Sequence, residues 1–396
     1  MRALAVALGI ATILVVFWDA FETLILPRRV SRRLRLARIY FRTTWGVWGR
    51  TSTTFRHAER RENFLSFYGP LSLLFLVAVW AVGMILGFAL LQWGGGRAHP
   101  AGSGSFATLL YLSASTFFTL GLGDVTPANS FARMVTAVEA GAGFGFLALV
   151  ISYLPVLYQS FSRREIRISM LDERAGSPPS AAELLGRRGS TYKETGARFL
   201  RDWELWSAEL LESHLSYPVL GYFRSQHDNQ SWVAALTVIL DTCALVIAGI
   251  EGMVDDQARL TFAMARHASV DLASMLGTPP MPPTPDRLPA EDLQRLRELL
   301  AESGLNLSTG EEAESVLSDL RASYEPYINS LSRRLRMPLP SWLPPEGAAD
   351  NWEVTRWEVR SGRRARRDFE QPTPGGPQGG LDQPPNRYSS KNANGS

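Results

Sequence analysis

FATLLYLSASTFF (Phe106–Phe118), followed at once by Thr119-Leu120-Gly121-Leu122-Gly123-Asp124, is the stretch whose reading decides the fold. Phe106–Phe118 is apolar but too short to cross a bilayer, which takes about 20 residues. A run of that length between longer apolar runs reads as a re-entrant or buried helix. Ser105 can cap its start, because a serine oxygen satisfies an orphan backbone N–H. In the hexapeptide, glycine occupies alternate positions, and glycine adopts backbone angles closed to other residues. Successive carbonyls can then turn toward one axis instead of alternating as in a strand. Four such segments around an axis make stacked oxygen rings that replace an ion's hydration shell. Thr119 can add its hydroxyl as a further ring at the inner end. Irregular backbone at this depth is tolerated only where protein or a watery cavity surrounds it. The helix before it aims its partially negative end at the axis, which favours a cation. Asp124 lies at the outer mouth, where a carboxylate can concentrate cations or tie the loop to its scaffold.

Longer apolar runs flank this segment. Leu71 to Leu91 is long enough to span, and so is Phe131 to about Phe161. Near the start of the chain, Ala3 to Leu26 is a third candidate span. A cleaved signal peptide is the alternative there, but the run is long for one and no small-x-small cleavage site follows. Asp19 and Glu22 enter near its end, three residues apart and so on one helical face. Overall the chain is 45% hydrophobic and 20% charged, the composition of a soluble protein, but its apolar residues are front-loaded. One cysteine, Cys243, excludes a disulfide framework and a cysteine-based zinc site.

Charge sets the expected orientation. The formal net charge is +3, and Lys193 and Lys391 are the only lysines, so nearly all the positive charge is arginine. Between Pro27 and Asn63 lie arginines 28, 29, 32, 33, 35, 38, 42, 50, 56, 60 and 61. Nucleic acid is one reading of such a block, but its position between two spans favours anionic lipid headgroups, and no nucleic-acid partner is expected. Leu34, Leu36, Ile39 and Tyr40 interleave with the arginines, as in a helix lying on the membrane surface. Arg163, Arg164 and Arg167 follow the third span. By arginine count both segments are cytoplasmic, Met1 is outside, and the C-terminal half is inside a multi-pass protein of the inner or plasma membrane.

Thr116-x-x-Thr119-Leu120-Gly121-Leu122-Gly123-Asp124, set between two spans, resembles the potassium-channel signature T-x-x-T-V-G-Y-G-D. The resemblance is to bacterial potassium channels with one pore loop per subunit and covers about a quarter of the chain, Leu71 to Phe161. It implies a potassium-selective channel, not an enzyme, with K+ as the permeant ion, no cofactor, and four copies around one pore. Thr119, Leu120, Gly121, Leu122 and Gly123 would be the ion-binding filter, with Thr116, Asp124 and Glu139 as its mouth and scaffold. Leu120 replaces valine, a mild change because only its backbone faces the ion. Leu122 replaces tyrosine and so lacks the hydroxyl that braces the filter in many members, as in similar two-pore-domain and bacterial channels.

The same resemblance places a hinge glycine at Gly143 in the third span. Close helix packing by small residues is the alternative use of Gly141, Gly143 and Gly145. On the face of Gly143, in steps of four, lie Leu147, Ile151 and Pro155, the expected lining of an apolar cavity. A constriction around Ile151, Pro155 and Tyr158 is the expected gate, with Pro155 kinking the helix. Glu139 is the one acid in this span, and an intramembrane carboxylate is a functional candidate by default. Similar channels often carry glutamate here, and bonding to Ser113, Ser115 or Thr116 would make it a brace.

From Ser162 onward the pattern is helical and soluble. Helices are expected at Thr191–Ser216, Ser231–Ile250, Gln257–Leu276, Ala290–Ser303 and Thr309–Leu335. Thr191-x-x-Glu194 and Thr309 with Glu312 read as capping boxes, and Pro326 as a kink or break. Trp232 to Ile250 is apolar enough to span, but Asp241 at its centre favours a buried core helix. His214, His227, Asp228, Asp241, His267 and Asp271 form a weak candidate regulatory site if the helices bring them together, its ligand unknown. The expected fold is thus an all-α membrane protein: three transmembrane helices, one re-entrant pore helix with its filter, and an all-α cytoplasmic domain. Its expected parts are an N-terminal span (1–27), a basic segment (28–66), a pore module (67–161), a helical cytoplasmic domain (162–345) and a disordered tail (346–396). A poorly selective cation channel is the nearer alternative, and a non-conducting membrane-anchored sensor or scaffold the other.

Overall fold

The computed structural model describes residues 1–24, 36–95, 105–187, 189, 192–226, 229–253 and 255–345. Among these the chain is all-α, with a single isolated β-bridge between Ile250 and Leu307. Helices α1 (Arg2–Leu24), α2 (Leu36–Ser52), α3 (Ala58–Ser66), α4 (Tyr68–Gly94), α5 (Phe106–Phe117) and α6 (Ser130–Ala175) come first. The C-terminal half follows with α7 (Ala181–Gly186), α8 (Tyr192–Ser216), α9 (Trp232–Gly249), α10 (Asp256–Leu276), α11 (Ala290–Glu302) and α12 (Glu311–Leu335). The expected tail, 346–396, and residues 25–35 lie outside the described residues.

Among the described helices, α1, α4, α6 and α9 are long and apolar enough to cross a membrane. The first three leave large apolar side chains open on their flanks, such as Leu14, Phe75 and Phe144. Helix α9 does not: Val233, Leu236, Ile239, Leu240 and Leu245 are fully buried by its neighbours. It is the core of a helical bundle, as the polar residue at its centre suggested. Ser231 caps it, its hydroxyl accepting from the Ala234 N–H at 3.0 Å.

Helices α1 and α4 run antiparallel along a seam of glycines. A methyl group at Gly9 would come within 2.7 Å of the Gly87 carbonyl, and one at Gly94 within 2.8 Å of the Arg2 carbonyl. Small residues let membrane helices approach this closely, where packing rather than hydrophobicity holds them together. At the far end of the seam, Asp19 is buried. Its carboxylate accepts from Trp80 Nε1 at 2.9 Å and from the Ala37 N–H, at the start of α2, at 3.2 Å. Glu22 accepts from Trp18 Nε1 at 2.8 Å.

Three features differ from the sequence reading. First, α2 hides its apolar face in protein: Phe41 and Trp45 are buried, and Trp45 Nε1 donates to the Arg334 carbonyl at 2.7 Å. Its outer face keeps Leu36, Ile39 and Val47 exposed beside Arg38, Arg42 and Arg50. Second, α6 runs well past the expected end of the span at about Phe161, continuing as one 46-residue helix through Pro155 to Ala175. Pro326 likewise leaves α12 whole. Third, Thr309 makes no capping box: α12 starts at Glu311 after Gly310, without a side-chain cap. Thr191 lies outside the described residues.

Candidate functional site

Helix α5 starts as expected, with Ser105 Oγ accepting from the Thr108 N–H at 3.3 Å. It stops because the chain after Phe118 leaves helical space. Thr119, Gly121 and Gly123 have φ of 56°, 60° and 79°, alternating with the ordinary angles of Leu120 and Leu122. A left-handed residue at every second position is what turns consecutive carbonyls to one side. No atom lies within 4 Å of a methyl placed on Gly121 or Gly123, so conformation and not crowding demands glycine. Thr119 is the exception: a β-branched residue with positive φ stores about 1–3 kcal/mol of strain. Two backbone bonds hold it there, Thr119 N–H to the Thr116 carbonyl at 3.0 Å and Leu120 N–H to the Ser115 carbonyl at 2.8 Å. Leu120 and Leu122 themselves stand exposed.

Behind the loop, three helices meet at Glu139, which is fully buried. The Ser113 hydroxyl lies within bonding reach of both its carboxylate and the Ile85 carbonyl of α4 (2.8 Å), sharing one proton between the two acceptors. Gln92 Nε2 donates to the same carboxylate at 3.2 Å. Of the three partners considered for Glu139, the structure selects Ser113; Gln92 was not foreseen, because nothing in the sequence ties α4 to α6. Gly143 is also buried, and a methyl there would sit 2.1 Å from the Phe117 carbonyl. Its missing side chain is what lets α6 pass the end of α5. At the other end of the loop, the Tyr111 hydroxyl bonds the Asp124 carboxylate. Leu147, Ile151, Pro155 and Tyr158 are all exposed on α6.

Among the described residues, the histidines and acids singled out in the C-terminal half do not gather into one metal-ligating group, and no group of three metal-ligating side chains forms. His227 and Asp228 lie outside the described residues. His267 faces Asp271 at 3.4 Å on one helix surface. Asp241 instead binds Arg287 Nη2 at 2.6 Å, and Arg287 Nη1 reaches Glu325 at 3.0 Å. Burial works against the Arg287 charge, but Asp241, with Tyr324 and Glu325 beside it, offsets this and holds the guanidinium above its ordinary pKa.

His214 belongs to a different cluster, at the root of the bundle. Arg164 of α6 is buried there and donates to the carbonyls of Leu220 and Phe223, each at 2.9 Å, and to Glu165 at 2.9 Å. It also meets His214 Nε2 at 3.1 Å, while His214 Nδ1 meets the Leu210 carbonyl at 2.8 Å. A guanidinium only donates, so Nε2 accepts, Nδ1 carries the proton, and the ring is neutral. Burial, and then Arg164, hold its pKa well below 6.5. The Leu220 carbonyl belongs to a 3-10 turn, Pro218–Tyr222. Tyr222 packs on Phe41, Trp45 and Tyr68, and Phe223 on Phe161 and against Gly69. One short turn therefore touches α2, α4 and α6 together. Sequence reading missed it, having counted Arg164 only as a marker of the cytoplasmic side.

Comparison with known proteins agrees with the loop. Residues 72–159 match the family described as "Ion channel", which spans α4 from Ser72, α5, the loop and α6 to Gln159. No curated protein and no solved structure matches the chain. An ion-channel module in a membrane protein therefore occupies these residues.

Proposed function

We propose that four copies of this chain form a potassium-selective channel, conducting passively through Thr119, Leu120, Gly121, Leu122 and Gly123. The observation that carries this reading is the alternation of left-handed backbone at Thr119, Gly121 and Gly123. Carbonyls turned to one side serve no purpose in a single chain. Around a four-fold axis they become rings of oxygens that substitute for the water of a bare cation. Leu120 and Leu122, exposed in one copy, would then be covered by neighbours. Asp124, held by Tyr111, anchors the outer mouth where Leu122 lacks a hydroxyl. Thr116 and Glu139 support the loop from behind; Leu147, Ile151 and Pro155 line the inner cavity and gate, with Gly143 as the pivot of α6.

The arginine-rich residues 28–61 would face anionic headgroups of the cytoplasmic leaflet, with Met1 outside and the helical bundle inside. The bundle, as a separate cytoplasmic domain, would bias the gate through Arg164, since anything that binds one arrangement of it better shifts the pore equilibrium by that difference. The test is reversal potential in liposomes of the full chain under opposed K+ and Na+ gradients. A potential near that of K+ supports selectivity. Equal permeation would make it a poorly selective cation channel, and no flux at all a membrane-anchored scaffold.

A further inference from the structure

We propose that the conduction path continues below the membrane, lined by the last third of α6 from four copies. Each α6 would seat against a groove on its neighbour. This rests on the four-fold reading above but concerns residues beyond the family match, which ends at Gln159.

The argument starts from one strip of the helix. At about 100° per residue, Ile151, Pro155, Ser162, Ile166, Ser169 and Glu173 fall within a strip about 60° wide. All six are exposed. The opposite side of the same segment is closed: Arg164, Ile168, Leu171 and Ala175 are buried against the chain's own bundle. The open strip runs unbroken from the part that the pore reading sets on the axis to the end of α6. In one continuous helix Ser169 lies about five turns beyond Ile151 and at the same angle, so the two face the same side.

Lipid cannot cover the lower part, because Arg163, Arg167 and Glu173 place it outside the apolar layer. Water alone would leave Ile166 at 57% and Met170 at 43% exposure. Beside these two lies a groove of about 440 Å³, between Tyr158 and Met170, with Ser162, Ser169 and Gln226 also in its wall. Its apolar edge and its place on the inward strip fit a second copy of α6. Ile166 and Met170 would make the contact, with Ser162 and Ser169 at its inner edge, where together with Glu173 they border a water-filled path that favours cations.

Cys243 is the single cysteine and is buried, so an introduced cysteine is the only accessible thiol. The full chain in liposomes would carry Ser162→Cys, Ser169→Cys or, as control, Leu260→Cys, exposed on α10. A short bifunctional maleimide should link Ser169→Cys subunits into a ladder and leave Leu260→Cys monomeric on a denaturing gel. A bulky charged thiol reagent on Ser162→Cys should cut K+ flux several-fold and spare the Leu260→Cys channel. Linking no better than the control, in a chain that still conducts, would overturn the proposal and leave the channel reading standing. Linking without loss of flux would overturn the lining. Linking in a chain that never conducts would keep the contact between copies but end the channel reading.

Discussion

Helix α9 and the first 30 residues of α6 are both long, apolar runs with one acid inside them, yet they meet opposite fates. In α9 nearly every side chain is buried, and Asp241 is matched inside the chain by Arg287. In α6, Glu139 is matched by Ser113 and Gln92, but Met134, Val138, Phe144, Leu147 and Ile151 on other faces remain open. Apolar composition alone does not distinguish a core from a span. What distinguishes them is whether the rest of the chain supplies a cover. The bundle buries its apolar helix within one copy, whereas the ion-channel module leaves apolar faces open; on the reading proposed above, lipid and further copies close them.

The largest effect that would test this contrast lies in the loop. Replacing Gly121 or Gly123 by alanine should abolish K+ flux in liposomes while the protein stays in the membrane, since only the positive φ is violated. Undiminished flux in both variants would remove them from the ion path. Next is the bundle. Arg287→Met leaves Asp241 buried without its partner and should cost about 3–5 kcal/mol, seen as early loss of amide protection in α9. Ion preference should not move, because the loop is untouched. A collapse of preference would mean that the two halves do not divide the work.

Gly143→Ala comes third. The added methyl meets the Phe117 carbonyl, and such overpacking costs about 1–3 kcal/mol. Gly141→Ala and Gly145→Ala, with open space around them, should leave thermal stability nearly unchanged. Equal effects at all three would make Gly143 an ordinary helix residue. The smallest effect is the pH dependence of the joint. Because the folded His214 pKa is lowered, the unfolded chain binds more protons below about pH 6.5. Stability from this group is therefore complete above that pH and falls as pH drops below it, by at most about 1.4 kcal/mol per unit. His214→Gln can still accept from Arg164 and donate to Leu210, and should flatten this part of the acid loss in a melting series.

Much of this was legible from residues alone. Ser105, the glycine alternation and the length of Phe106–Phe118 all rest on local rules, and local rules placed the re-entrant helix within a residue. Asp241 gave away α9, because a carboxylate at mid-helix costs more in lipid than in a bundle with an arginine to meet it. The misses are long-range. Nothing near Gln92 says that it will meet Glu139, 47 positions later, and nothing near Trp45 points to Arg334. The capping box at Thr309 failed because Gly310 opened a different entry to α12. The full length of α6 was missed for a simpler reason: the apolar run ends near Phe161, and a change from apolar to charged composition does not stop a helix.

That uninterrupted helix has a mechanical consequence. At about 1.5 Å per residue, the 46 residues of α6 form a rod about 69 Å long. On the reading proposed above, its close contact of Gly143 on Phe117 would serve as a fulcrum. Ile151 lies eight residues beyond it and Ala175 thirty-two, so the two lever arms differ about fourfold, roughly 12 Å against 48 Å. On that reading, widening the channel by about 1 Å at Ile151 would ask for a swing of about 4 Å at Ala175, the far end of α6. Read the other way, a coarse movement of the domain is geared down to a fine one at the constriction.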